Sequence, residues 1–283
     1  MVAVDDFFGY QPTWCPGCGN WGIYTALKKA LVELGYSPDK LVVVFGIGCS
    51  GNMNDFLNAY GLHSLHGRAI PNAIGIKLAN HKLLVIAVVG DGDCYGEGGN
   101  HLIHACRGNH DIKVIVHDNR VYGLTTGQAA PTSPEGFKSK STPLGLIEAP
   151  LNPLALALVA GATFIGQGFA GDINHLTLVF KEAFSHQGFS LVNVLQPCVT
   201  FNKVNTYQYY FQRVYKLDKD YKKNNFNLAL EKALELNQER FPLGVIYQVK
   251  KPSYHEKLSP IAYLPLVEKK RFLDYNLLLK EFI

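Results

Sequence analysis

Apolar positions along the chain follow two alternating rhythms. Ile23, Leu27, Ala30, Leu31 and Leu34 recur at helical spacing and predict a helix over 20–34, with Asn20 as its cap and Gly35 at its end. Largely β-branched runs without polar alternation predict buried strands over 41–45, 84–89, 113–117 and 190–195, with a shorter strand over 163–165. Helices are expected between them: over 70–79, over 100–107, from Pro153 with Asn152 as cap, and from Asp172 to about 187–188. Strands that alternate with helices and carry no polar face predict an α/β fold, a mostly parallel sheet with helices on both faces. Residues 129–149 are rich in Pro, Ser, Thr and Gly and read as a long irregular loop, a form often tied to function. The rhythm fades near residue 200. This divides the chain into a body, 1–200, and a C-terminal extension, 201–283, which holds one amphipathic helix over 225–240 and a strand over 243–248 and is expected to pack on the body or on a partner.

Composition narrows the class. The 283 residues are 47% apolar and 18% charged, which excludes disorder and coiled-coil composition. No apolar run approaches the ~18 residues of a membrane span. The start, MVAVDDFFGY, has no basic stretch followed by an apolar core, so a cytoplasmic location is expected and membrane association is not. Residues 1–212 hold 13 basic and 14 acidic residues, whereas 213–283 hold 14 and 9. Basic residues diluted by acids, without a binding motif, do not suggest nucleic acid. Lys250–Lys251 and Lys269–Lys270–Arg271 in the basic tail are either a solvated face or a docking surface for an acidic partner.

Ligands of parallel sheets sit beyond the carboxyl ends of the strands. Loops after Phe45, Val89, His117 and Leu195 should therefore meet at one edge, although they span 150 residues of sequence. In the second of them, GDGDCYGEGG, Asp91 places a carboxylate at a strand end, and Asn119 follows at the next strand end, 28 residues later. A carboxylate, an amide oxygen and a nearby backbone carbonyl form a hard oxygen set suited to Mg²⁺. The plainer alternative is that Asp91 only caps a helix. Six cysteines in a chain without an export signal suggest metal or redox work before disulfides. Cys15 and Cys18 (CPGC), Cys49 and Cys198 make four thiols, enough for a [4Fe–4S] cluster or a structural zinc; the residues alone leave both open. Cys94 and Cys106 read as small buried hydrophobes.

GDG followed 25–30 residues later by Asn resembles the signature of thiamine diphosphate enzymes. The resemblance implies that Asp91, Asn119 and the carbonyl of Val121 hold the Mg²⁺ of the diphosphate. It also implies that Gly92, Asp93, Gly123, Leu124 and Thr125 line the cofactor. WCPGCGNWGI, GIGCSG, LHGRAI, GDGD, HDNRVYGLTTGQ, NPLALA and LQPCVTFN, spread from Trp14 to about Tyr215, further resemble the β subunit of the 2-oxoacid:ferredoxin oxidoreductases. That family implies a [4Fe–4S] cluster on Cys15, Cys18, Cys49 and Cys198. It places Gly48, Cys49, Ser50, His66 and Gly90 beside the thiamine. It implies an α (or fused γα) partner subunit that supplies the catalytic Glu, with ferredoxin, coenzyme A and a 2-oxoacid as reactants. A non-redox thiamine decarboxylase or synthase with zinc at the cysteines is the alternative. Family members acting on dicarboxylic 2-oxoacids often carry Lys where this chain has Asn52 and Thr126. Pyruvate or a broad range is therefore expected over 2-oxoglutarate alone, with Arg68 or Lys77 as residual cations.

Overall fold

The computed structural model describes residues 2–270 and 274–282. Among them the strands are β1 (Leu41–Phe45), β2 (Tyr60–His63), β3 (Leu84–Gly90), β4 (Lys113–Asp118), β5 (Val121–Tyr122), β6 (Gln128–Ala129), β7 (Phe164–Phe169), β8 (Ser190–Leu195), β9 (Val214–Lys216) and β10 (Phe241–Gln248). Eight form one sheet in the order β2-β1-β3-β4-β8-β7-β10-β9. Its neighbours are parallel except for β7 and β10. The expected α/β architecture is the one observed. The helices are α1 (Asn20–Glu33), α2 (Met53–Phe56), α3 (Ala69–Ala79), α4 (Gly99–Gly108), α5 (Pro153–Val159), α6 (Ile173–Ser185), α7 (Tyr207–Phe211), α8 (Phe226–Leu234), α9 (Tyr254–Lys257) and α10 (Tyr275–Leu279).

The central strands are largely apolar because both of their faces are covered. Val43, Ile86, Ile115 and Val192 pack with Leu27 and Leu31 of α1 and with Leu176 and Phe180 of α6. Their neighbours Val44, Val85, Val114 and Leu191 pack on the other face with Ala73 of α3, Leu102 of α4, Leu154 of α5 and Ala229 of α8. Cys94 and Cys106 are part of this second core. Asn152 and Asp172 cap α5 and α6 by accepting from the backbone N–H groups of Ala155 and His175. Asn20 does not cap α1: it lies in the first turn, and its side chain turns inward to His117. Two further expectations are corrected, and the extension packs on the body, one of its expected placements. The strand at 163–165 extends to Phe169. The helix at 225–240 ends at Leu234 and continues only as a 3₁₀ turn. Residues beyond 200 add β9 and β10 to the sheet edge. No helix among the described residues is long and apolar enough to cross a membrane.

At the amino ends of the strands, opposite the loops of interest, Asp111 lies 2.7 Å from the ammonium groups of both Lys77 and Lys113. Burial pushes the Asp111 carboxyl up, but the two lysines outweigh it and hold it below the usual carboxylate range. A carboxylate depressed on folding contributes stability above its ordinary range near pH 4, and that stability is lost as pH falls below it. Asp111→Asn leaves two buried ammonium groups without a counter-charge. It should lower stability by about 3–5 kcal/mol and flatten the acid limb of the melting-temperature profile, as read by calorimetry from pH 3 to 7. Lys77 is thus locked in the scaffold and is not a residual cation for substrate.

Candidate functional site: two adjoining cavities

The chain leaves β1 toward β2 and returns to β3 on its other side, which opens a crevice at this switch point. A cavity of about 490 Å³ lies there. All thirteen residues expected beside the cofactor line it: Gly48, Cys49, Ser50, His66, Gly90, Asp91, Gly92, Asp93, Asn119, Val121, Gly123, Leu124 and Thr125. The stretch after Asp91 is not an open loop; Gly92–Glu97 winds into a π-helical turn, a form that recurs at functional sites.

The donor set suits a cation and a diphosphate. Asp91 is buried, and burial together with Asp118 pushes its carboxyl up to about 8. An ionised carboxylate here therefore needs a counter-charge, which a divalent cation supplies. Asn119 Oδ1 accepts the backbone N–H of Val121 at 2.9 Å and keeps a second lone pair. The Ser50 hydroxyl is buried on this cavity without a partner and is free to donate to a phosphate oxygen. Asp93 has a more specific task than lining. Its Oδ1 accepts the Gly67 N–H at 2.8 Å and lies 2.9 Å from His66 Nδ1, which leaves His66 Nε2 for the cavity.

Thr132 is a site residue that no sequence pattern marks. It arrives from the long loop, and its buried hydroxyl lies 2.6 Å from Asp91 Oδ2 and 2.9 Å from Asp118 Oδ1. Loss of such a supporting contact typically costs 10–100-fold in metal affinity. Thr132→Val should weaken Mg²⁺–thiamine diphosphate binding by about 10–100-fold, and Thr132→Ser should restore it, as measured by isothermal titration.

The four thiols meet on the neighbouring cavity, of about 650 Å³, which Cys15, Cys18, Cys49 and Cys198 all line. The local sequence dictates this convergence. Pro16 and Gly17 occupy the two central positions of a tight turn, Gly17 has φ +78°, and Cys18 N–H donates to Cys15 carbonyl at 3.0 Å. Gly19 N–H then donates to the Pro197 carbonyl at 3.1 Å, so close that a Cβ on Gly19 would stand 2.7 Å from Gln196 Cγ. Gln196 Nε2 donates to Cys18 Sγ at 3.3 Å, and Trp14 Nε1 donates to the Cys49 carbonyl at 2.7 Å. Burial above all, with the neighbouring cysteines adding, pushes Cys18 to about 12 and Cys49 to about 11. Thiolates gathered there need a cationic metal centre. Among the described residues no three Cys, His, Asp or Glu side chains converge tightly enough for a single metal ion.

The cavities share a wall: Cys49, Asn119, Gly123 and Leu124 line both. A Cβ placed on Gly123 would lie 3.6 Å from Cys49 Sγ, 3.7 Å from Cys198 Sγ and 3.6 Å from Asn119 Nδ2. The sheet edge therefore sets a sulfur-lined space directly against an oxygen-lined one. His117 and Tyr122 also line the oxygen-lined cavity, and neither stands out in the sequence. A histidine in a strand has no readable orientation until the sheet sets its face.

Fold and cavity are of the thiamine-diphosphate-binding class. Residues 46–194, more than half of the chain, match the family model described as "Thiamine pyrophosphate enzyme, C-terminal TPP binding domain". Residues 198–262 match the family model for the C-terminal part of the pyruvate ferredoxin oxidoreductase β chain. The chain is 47% identical over 256 residues to the β subunit of a 2-oxoacid:ferredoxin oxidoreductase from Saccharolobus solfataricus, covering 86% of this chain and 84% of that one. It is 48% identical over 189 residues to the 2-oxoglutarate oxidoreductase subunit KorB of Mycobacterium tuberculosis, covering 67% of this chain and 51% of that one. A solved 2-oxoglutarate:ferredoxin oxidoreductase from Magnetococcus marinus, with 2-oxoglutarate, coenzyme A and succinyl-CoA bound, superposes with a TM-score of 0.92 at 35% identity, covering 99% of this chain and 96% of that one. The chain belongs to the β subunits of the 2-oxoacid:ferredoxin oxidoreductases, and so is one subunit of a multi-subunit oxidoreductase.

Proposed function

We propose that this subunit holds Mg²⁺–thiamine diphosphate and a [4Fe–4S] cluster side by side, for oxidation of a 2-oxoacid with coenzyme A to acyl-CoA and CO₂ with ferredoxin as electron acceptor. The observation that carries this reading is the shared wall at Gly123. When bound, thiamine diphosphate supplies the electron sink for decarboxylation and the cluster supplies one-electron acceptance. Asp91, Asn119 and the Val121 carbonyl hold the Mg²⁺. Thr132 fixes the Asp91 carboxylate, and Ser50 donates to the diphosphate. Asp93 orients His66 so that Nε2 faces the substrate side. Cys15, Cys18, Cys49 and Cys198 hold the cluster, and membership of the ferredoxin-dependent oxidoreductases favours it over zinc. The catalytic Glu comes from the α (or fused γα) subunit. Residues 1–200 are the cofactor-binding body, and 201–283 an extension of the same sheet. Lys250, Lys251, Lys269 and Lys270 are candidates for contact with an acidic ferredoxin or the partner subunit; Arg271 of that basic run lies outside the described residues. A cytoplasmic setting keeps the thiols reduced for metal.

Asn52 lines the cysteine cavity and Thr126 is exposed with a left-handed φ of +79°. Neither offers a cation for a distal carboxylate, and Lys77 is sealed on Asp111, so of the two residual cations expected only Arg68, whose guanidinium lies against the His101 ring, remains. The assembled complex should therefore turn over pyruvate at least as well as 2-oxoglutarate in a ferredoxin-reduction assay. A strong preference for 2-oxoglutarate would contradict this reading of the substrate site.

A further inference from the structure

Two buried side chains outside the expected ligand sets join the two cavities. Asn20 is 1% exposed and lines the cysteine cavity, whereas His117 is 1% exposed and lines the cofactor cavity. They meet across the wall, with His117 Nδ1 2.8 Å from Asn20 Oδ1. An amide oxygen only accepts, so Nδ1 carries the proton and Nε2 remains a bare acceptor. Neither far end finds a partner among the described residues: His117 Nε2 and Asn20 Nδ2 are both buried and unbonded. Buried polar groups are almost always paired. An orphan at each end of one hydrogen-bonded pair, one per cavity, points to a bound group in each.

We propose that Asn20 donates an amide N–H to a sulfur of the cluster, and that His117, accepting from a donor on the occupant of the cofactor cavity, holds Asn20 in that orientation. This rests on the reading of the cysteine cavity as the cluster site. Hydrogen bonds to cluster sulfurs are among the determinants of reduction potential. An N–H aimed at sulfur favours the more electron-rich, reduced state and raises the potential. Asn20 thereby tunes the electron acceptor. His117 is a positioning residue that links cofactor occupancy to that tuning.

The test is a redox titration of the assembled complex, followed by electron paramagnetic resonance. Asn20→Leu removes the donor at similar volume. His117→Phe leaves Asn20 in place but removes what orients it. Both variants should keep parental iron content and show a lower midpoint potential. In the parental complex, Mg²⁺–thiamine diphosphate should raise the midpoint, and His117→Phe should abolish that response. Unchanged midpoints in both variants would overturn the proposal, as would failure of both to assemble a cluster, since a tuning pair is not required for assembly. A parental complex without iron would instead defeat the reading of the cysteine site itself.

Discussion

Replacing Cys198 with alanine in the assembled complex should reduce 2-oxoacid-dependent ferredoxin reduction to background while leaving thiamine diphosphate binding within a few-fold of the parent. The reason is the division of labour across the wall at Gly123. Cys198 reaches the sulfur-lined cavity from the loop after β8 and is not among the residues lining the oxygen-lined one. Losing one of four thiolates removes a cluster ligand and leaves the oxygen donors of Asp91, Asn119 and Val121 untouched. Cys49→Ala should abolish ferredoxin reduction in the same way, but with a larger effect on cofactor binding, because Cys49 lines both cavities. The readouts are the visible absorbance of the complex, steady-state ferredoxin reduction and calorimetric titration of the cofactor. Ferredoxin reduction at the parental rate in Cys198→Ala would refute the proposed ligand set.

Asp91→Ala should produce the complementary loss. Asp91 is the only carboxylate in the proposed Mg²⁺ set, and it is buried where an ionic contact is poorly screened. Removing one partner of a buried ion pair costs about 3–5 kcal/mol, which corresponds to a loss of roughly 10²-fold to a few thousand-fold. Mg²⁺–thiamine diphosphate affinity and turnover at sub-saturating cofactor should fall by about that factor, with iron content and absorbance unchanged. Without cofactor the sign reverses. Burial and Asp118 raise the Asp91 carboxyl to about 8, so an ionised Asp91 destabilises the empty chain as pH rises from about 4 toward 8. Asp91→Asn should therefore melt above the parent in cofactor-free protein near pH 8. Equal cofactor affinity in Asp91→Ala and the parent would remove Asp91 from the site.

What the sequence reveals follows from which physical signals are local. The runs at 41–45 and 190–195 appear as strands with those bounds, since a strand buried on both faces reads as a near-continuous apolar run. Parallel pairing then forces the loops after β1, β3, β4 and β8 to one edge, so cysteines 183 residues apart in sequence become neighbours in prospect. The edge strands β2 and β9 carry no such signal, because Tyr60–His63 is exposed along its length and Val214–Lys216 is only three residues long. Asn20 reads as a cap because capping and core roles use the same residue type, and only the position of His117 decides between them. Lys77 reads as an available cation because its partner Asp111 lies 34 residues away. Thr132 sits in a stretch without periodicity, where no pattern says which hydroxyl turns inward.

The most direct test of the whole account is metal and cofactor analysis of the complex purified without oxygen. On this account the complex should contain about four irons and four sulfides per copy of this chain, with thiamine diphosphate and Mg²⁺ in equal stoichiometry, and show a broad brown absorbance. A colourless complex carrying zinc at the cysteines, or one whose iron persists when all of Cys15, Cys18, Cys49 and Cys198 are replaced, would contradict it.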